Sequence, residues 1–246
     1  MEASITFKKI AKIFENNTVL ADLSFGIEKN KKLALIGRNG SGKSTLLKIL
    51  SGVVKKTSGN IFVNGLDFDL NSHRIKSILG YIPQNILLDI NLTISENLIF
   101  YGKLHGITTN QIENKIRYWS KELFFSDFLH QYPTQLSYGL NRVVLFVRSL
   151  LHDPEIIIFD EPFKDLSFDF KELIWRSINN LDKTVFLATN NLNDVEKLVD
   201  YVAIIKDGNI ISVGPVKNLI KSNKNIIEAI TLEEICDNIL EKNTTR

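Results

Sequence analysis

The feature that most constrains this chain is a run of eight residues, Gly37-Arg38-Asn39-Gly40-Ser41-Gly42-Lys43-Ser44, followed by Thr45. It fits the pattern G-x-x-x-x-G-K-S without a departure. An apolar stretch, KLALI over residues 32–36, leads into it. Helix-forming residues through LLKIL lead out of it and stop at Gly52. A strand, a glycine turn and a helix in that order point backbone N–H groups inward beside a helix N-terminus, which makes a cradle for anions. Lys43 is then placed to reach the β- and γ-phosphates of a nucleotide, and the Ser44 hydroxyl to ligate Mg²⁺. The competing reading is a glycine-rich turn without function; the flanking strand and helix count against it.

A second segment supplies acids. Residues 156–161, IIIFDE, read as an apolar strand that delivers Asp160 and Glu161 at its C-terminal end. Ligands of open α/β sheets bind at that end of the strands. Asp160 is expected to hold the hydration shell of Mg²⁺, and Glu161 to lie beside an attacking water as base or polariser.

The remaining pattern supports a sheet built around these two segments. Strands are predicted over residues 5–10, 19–27, 61–63, 155–159, 184–189, 202–205 and 209–213. Thr57-Ser58-Gly59 reads as a turn, and Asn64-Gly65 and Asp207-Gly208 as hairpin turns. From residue 85 to 152 the texture is helical, and Thr93 with Glu96 has the spacing of a capping box. A further helix is predicted over residues 141–151. Strands alternating with helices imply an α/β fold with a largely parallel sheet covered on both faces. The expected organisation is a single domain. Residues 1–84 and 153–215 form the core, 85–152 an inserted helical lobe, and 216–246 a short helical tail.

Composition narrows the function. Thirty Lys and Arg against 28 Asp and Glu leave a net charge of +2, which gives no electrostatic case for nucleic acid as a partner. The basic run Lys29-Asn30-Lys31-Lys32 reads as a solvated turn. Cys236 is the one cysteine, so no disulfide framework can form within the chain. The N-terminus, MEASITFKK, lacks the apolar core of a signal peptide, and no window approaches about eighteen uncharged apolar residues. Work at a membrane would therefore go through a partner. His73, His105, His130 and His152 have no ligand spacing and are assigned no chemistry. Trp119 and Trp175 fall in helical patterns, as core or lobe-surface residues.

The order of motifs over nearly the whole chain resembles the ATP-binding subunit of ABC transporters. Tyr81-Ile82-Pro83-Gln84 resembles that family's Q-loop, LSYGL over residues 136–140 its signature, and IIIFDEP its Walker B segment. The fold implied is a P-loop NTPase of ABC type, a mixed sheet core with antiparallel N-terminal strands. The resemblance implies ATP and Mg²⁺ as ligands and a head-to-tail pair of domains. Each ATP would lie between the glycine loop of one domain and Ser137 and Gly139 of the other. Phe14 would stack on adenine, with a plain core position as the alternative. Gln84 would sense the metal and the water and relay the change to a transmembrane permease, which places the chain on the cytoplasmic face of a membrane. Residues 92–107, LTISENLIFYGKLHGI, and Thr231-Leu232-Glu233-Glu234-Ile235 resemble the ABC-2-type exporter class.

Four positions depart from the family pattern. Tyr138 replaces a glycine of the signature and Leu140 its glutamine; LSYGL reads as a used variant rather than a relic. Asn190 stands where the switch histidine is expected. Asparagine donates a hydrogen bond but relays no proton. Ser167 ends Lys164-Asp165-Leu166-Ser167 where the D-loop has aspartate. These departures bear on hydrolysis more than on ATP binding. They leave open a homodimer that hydrolyses ATP and a weakly hydrolysing partner to a sister subunit. A soluble ABC protein without transport ranks last, because there is one cassette and no sustained heptad pattern.

Overall fold

The computed structural model describes residues 3–190 and 192–217. The expected tail, with Thr231 to Ile235 and Cys236, lies outside them.

The two long N-terminal strands, β1 (Ala3–Phe14) and β2 (Asn17–Glu28), pair antiparallel. They join β4 (Ser58–Val63) and the short β5 (Leu66–Asp67) in a four-stranded sheet of order β2-β1-β4-β5. The hairpin at Asn64-Gly65 has positive φ at both residues, as its type of turn requires. The expected turn at Thr57-Ser58-Gly59 is a correction: Ser58 and Gly59 already belong to β4. Antiparallel pairing with β1 holds these turn-like residues in the strand, and the register shift between Lys8 and Ala11 places the bulge on β1 opposite them.

The second sheet has six strands. β3 (Lys32–Ile36), β6 (Leu79–Ile82), β7 (Ile156–Asp160), β8 (Thr184–Thr189) and β9 (Tyr201–Lys206) run parallel, and β10 (Asn209–Pro215) closes one edge antiparallel. The order is β10-β9-β3-β8-β7-β6. Its strands read as continuous apolar runs because both faces are covered. Successive side chains go to opposite sides. Ile156 and Ile158 of β7 join one apolar cluster, with β1, β2 and α1 (Lys43–Leu50). Ile157 and Phe159 join the other. That second cluster contains α3 (Ile94–Leu104), α4 (Thr109–Glu122), α5 (Tyr138–Leu150), α6 (Phe168–Asn179) and α7 (Leu192–Leu198). Each large side chain buried in this way stabilises the fold by about 1.5–3 kcal/mol before entropy is charged against it.

Thr93 caps α3 with Glu96 as a complete capping box, as its spacing predicts. The helix expected from Asn141 begins earlier, at Tyr138, because the Ser137 hydroxyl accepts the N–H of Leu140 at 3.2 Å and acts as its N-cap. β6 and the short α2 (Ser72–Ser77) were not legible as separate elements. Trp175 is buried on α6, while Trp119 packs partly buried against the second cluster.

Candidate functional site

The glycine loop lies at the C-terminal end of β3, between the two sheets. Gly42 has φ of 104°, and a side chain there would press on Leu20 and on the carbonyl of Val19. Only glycine lets the loop enter α1 so close to β2. The Lys43 ammonium is buried and curls into its own loop, donating to the carbonyls of Gly37 at 2.7 Å and Arg38 at 3.1 Å. Burial lowers its pKa, while Glu161 and Asp160 act in the opposite direction. The Arg38 carbonyl also accepts the N–H of Ser41.

The Ser44 hydroxyl donates to Asp160 Oδ1 at 2.7 Å across the gap between α1 and β7. Asp160 is buried, and that burial raises its pKa against the pull of Ser44, Lys48, Lys43 and Arg142. Glu161 follows in the left-handed region, with φ of 49°. Its carboxyl is also pushed up by burial, while Lys43 and the backbone N–H of Asn190 pull it down. A cavity of about 410 Å³ brings together Asn39, Gly40, Gly42, Lys43, Ser44, Thr45, Gln84 and Glu161. Val19 and Lys164 complete its lining, and neither was anticipated from sequence. A hydroxyl bonded to a carboxylate, with Gln84 lining the same cavity, is a hard-oxygen set that suits Mg²⁺.

Asn190 reaches the loop: its Nδ2 donates to Asn39 Oδ1 at 3.4 Å. Ser167 is the N-cap of α6 and makes no side-chain capping bond. Phe14 is 44% exposed, which removes it from the core, and Lys12 sits 4.3 Å from its ring centroid. It does not line the cavity that holds the glycine loop.

Ser137 and Gly139 are not brought to that cavity either. They form the start of α5, and Ser137 lines a different cavity of about 570 Å³ with Leu136, Leu140 and Phe170. Gly139 is glycine for a packing reason, since a Cβ there would lie 2.3 Å from the Phe170 ring. Asn141 pins the turn before the helix by donating to the carbonyls of Pro133, Leu136 and Ser137. Tyr138 points outward, 42% exposed. Arg142 was missed altogether. A cation set directly before the apolar run VVLFV, residues 143–147, on a predicted helix is the signal that could mark it.

The histidines have no ligand spacing in sequence, and among the described residues no group of three or more His, Cys, Asp or Glu could hold a metal ion; two of the histidines nevertheless meet in space. His105 and His152 stack with ring centroids 3.9 Å apart, and His152 Nε2 lies 3.0 Å from the carbonyl of Leu79. They lie 47 positions apart in sequence, and only the packing of α3 against the end of α5 joins them.

Residues 20–164 match the family model described as ABC transporter. Three relatives illustrate the range. An uncharacterised ABC transporter ATP-binding protein of Methanocaldococcus jannaschii is 31% identical over 222 residues, 89% of this chain and 80% of that protein. The molybdate/tungstate import ATP-binding protein WtpC of Pyrococcus abyssi is 31% identical over 237 residues, 91% of this chain and 68% of that one. The Nod factor export ATP-binding protein I of Neorhizobium galegae is 29% identical over 221 residues, 89% and 64%. A solved structure, of the ATP-binding subunit of an ABC transporter, superposes with a TM-score of 0.86, covering 96% of this chain and 99% of its own at 24% identity. That likeness carries the fold. The chain belongs to the ABC transporter family, as an ATP-binding cassette of that family.

Proposed function

We propose that the chain hydrolyses ATP as one of a pair of cassettes and powers export through a separate transmembrane permease, from the cytoplasmic face of the membrane. The observation that carries this reading is the Ser44–Asp160 hydrogen bond, set in one cavity with Lys43, Gln84 and Glu161. The loop N–H groups and Lys43 bind the phosphates. Ser44, Asp160 and Gln84 are the residues that would hold Mg²⁺ through oxygen. Bound there, the metal supplies neutralisation of charge on the phosphate oxygens. Glu161 orients the attacking water and accepts its proton; its raised pKa suits a base. Phe14, exposed at the end of β1, stacks on the base.

The separation of Ser137 from the glycine loop supports pairing, in which Ser137 and Gly139 serve a site on another copy or a sister subunit. Leu87, Ile90, Phe100 and Leu104 are all more than half exposed after Gln84, and they support a permease contact there. Among the described residues no helix is long and apolar enough to cross a membrane. The export direction rests on the resemblance of residues 92–107 to the ABC-2 class. Relatives of this chain include import and export proteins.

A second reading is favoured by Asn190 and Ser167: an ATP-clamping, weakly hydrolysing half of a heterodimer. One experiment addresses both. ATP turnover and mass by light scattering are measured for the full chain with ATP and Mg²⁺, beside Glu161→Gln and Lys43→Ala. Turnover lost in Glu161→Gln, ATP-dependent dimers, and no nucleotide binding by Lys43→Ala support the first reading. Binding without pairing or turnover supports the second. Full ATP affinity in Lys43→Ala overturns the site.

A further inference from the structure

Arg142 is a fully buried cation, 2% exposed, with three carbonyl oxygens as its hydrogen-bond partners. Nη1 donates to Pro83 at 2.7 Å and to Gln84 at 2.9 Å, and Nη2 to Glu161 at 3.3 Å. Burying a guanidinium is costly unless its donors are satisfied in a fixed geometry. Here that geometry joins two separate loops, one after β6 and one after β7, to the helix that carries Ser137.

The Glu161 backbone explains what such a clamp does. Its φ of 49° is a region that side-chain-bearing residues rarely adopt. Strain of this kind persists only where the surroundings over-determine it. The Glu161 N–H donates to the Ala188 carbonyl at 2.9 Å, and its own carbonyl is held by Arg142. Both ends of the residue are fixed, so the direction in which its side chain leaves the backbone is fixed. The Gln84 carbonyl is fixed by the same guanidinium.

We propose that Arg142 is a positioning residue for ATP hydrolysis: it holds the Gln84 and Glu161 backbones in register with each other and with the α5 helix that Ser137 caps. This rests on the reading of Glu161 and Gln84 given above. Because Ser137 would meet the nucleotide of a second copy, Arg142 also links one composite site to the other through a single helix.

The test uses the full chain carrying Arg142→Lys, which keeps the charge on one donor centre, and Arg142→Met, which keeps neither. ATP affinity is read by fluorescent-nucleotide titration, turnover by phosphate release, and local stability by amide exchange. Expected is a loss of kcat of about tenfold to a hundredfold in Arg142→Met, with Kd for ATP within about twofold of wild type. Arg142→Lys should fall between the two. Peptides covering residues 83–88 and 159–164 should exchange faster in both variants, with β3 and β8 unchanged. If Arg142→Met does not fold, Arg142→Lys decides by the same readouts. Wild-type kcat with wild-type exchange in a folded variant overturns the proposal, as does a kcat loss matched by weakened ATP binding. Glu161→Gln run in parallel separates the two failures. Wild-type turnover in that variant overturns the site assignment, whereas its loss beside unaffected Arg142 variants overturns the role of Arg142 alone.

Discussion

At Gly139 the room for a side chain is already taken by the Phe170 ring of α6. Gly139→Ala is therefore expected to destabilise the chain by about 1–3 kcal/mol. A thermal melt should fall by about 2–4 °C for each kcal/mol. Phe170→Leu should restore part of the loss if the clash is the cause, and equal melts for Gly139→Ala and wild type would refute it. Tyr138, next to it, meets no such limit because it points to solvent. A bulky residue is tolerated where the family pattern has glycine because α5 starts at Tyr138 and leaves that side chain exposed. Asn190 poses the complementary question, since its amide is spent on Asn39 rather than held free. Asn190→His is expected to raise ATP turnover several-fold if the lost imidazole limits the rate; phosphate release at saturating ATP measures it. An unchanged rate would mean that another departure, such as Ser167, dominates.

Elements differ in how plainly their sequence announces them. β3, the glycine loop and α1 were legible because apolar run, glycine spacing and helix formers coincide within residues 32–50. The capping box of α3 was legible because Thr93 and Glu96 make their bonds to each other locally. The start of β4 is not legible because Ser58 and Gly59 resemble a turn, and only pairing with β1, which bulges opposite them, makes them strand. The site followed the same division: Lys43, Ser44, Asp160 and Glu161 sit in local motifs, whereas Arg142 acts across loops that approach only in three dimensions. So do the stacked histidines, which carry a pH consequence at the junction of α3, α5 and β6. Burial, then the neighbouring His105, push the His152 pKa down from 6.5 to about 4. Leu79 and Asp153 oppose this, and Lys115 adds to it. Native His152 is then neutral while the unfolded chain takes up the proton. Its contribution to stability is fully present above pH 6.5 and is lost as pH falls towards 4. Melting temperatures between about pH 7 and pH 5 should drop less in His152→Phe than in wild type, and parallel curves would refute the assignment.

Across the whole molecule, the six-stranded sheet has one apolar cluster on each face, and the second cluster has no internal boundary. Ile94 and Leu98 of α3 and Ile112 and Ile116 of α4 belong to the same cluster as Ile157 and Phe159 of β7. The helices read from sequence as an inserted lobe therefore have no private interior. This sets a rule for recombination. Exchanging residues 85–135 for the equivalent segment of a relative should yield stable protein only if the α5 face and the α6 side chains it meets are exchanged with it. Chimaeras made both ways and compared by thermal unfolding would show this. Swaps of the segment alone that melt as cooperatively as the parent would refute it. On the proposed permease contact, a lineage carrying this cassette would change its membrane partner through the outward side of α3, where Phe100 and Leu104 lie exposed, while the inward side is inherited as one block with the machinery that handles the nucleotide.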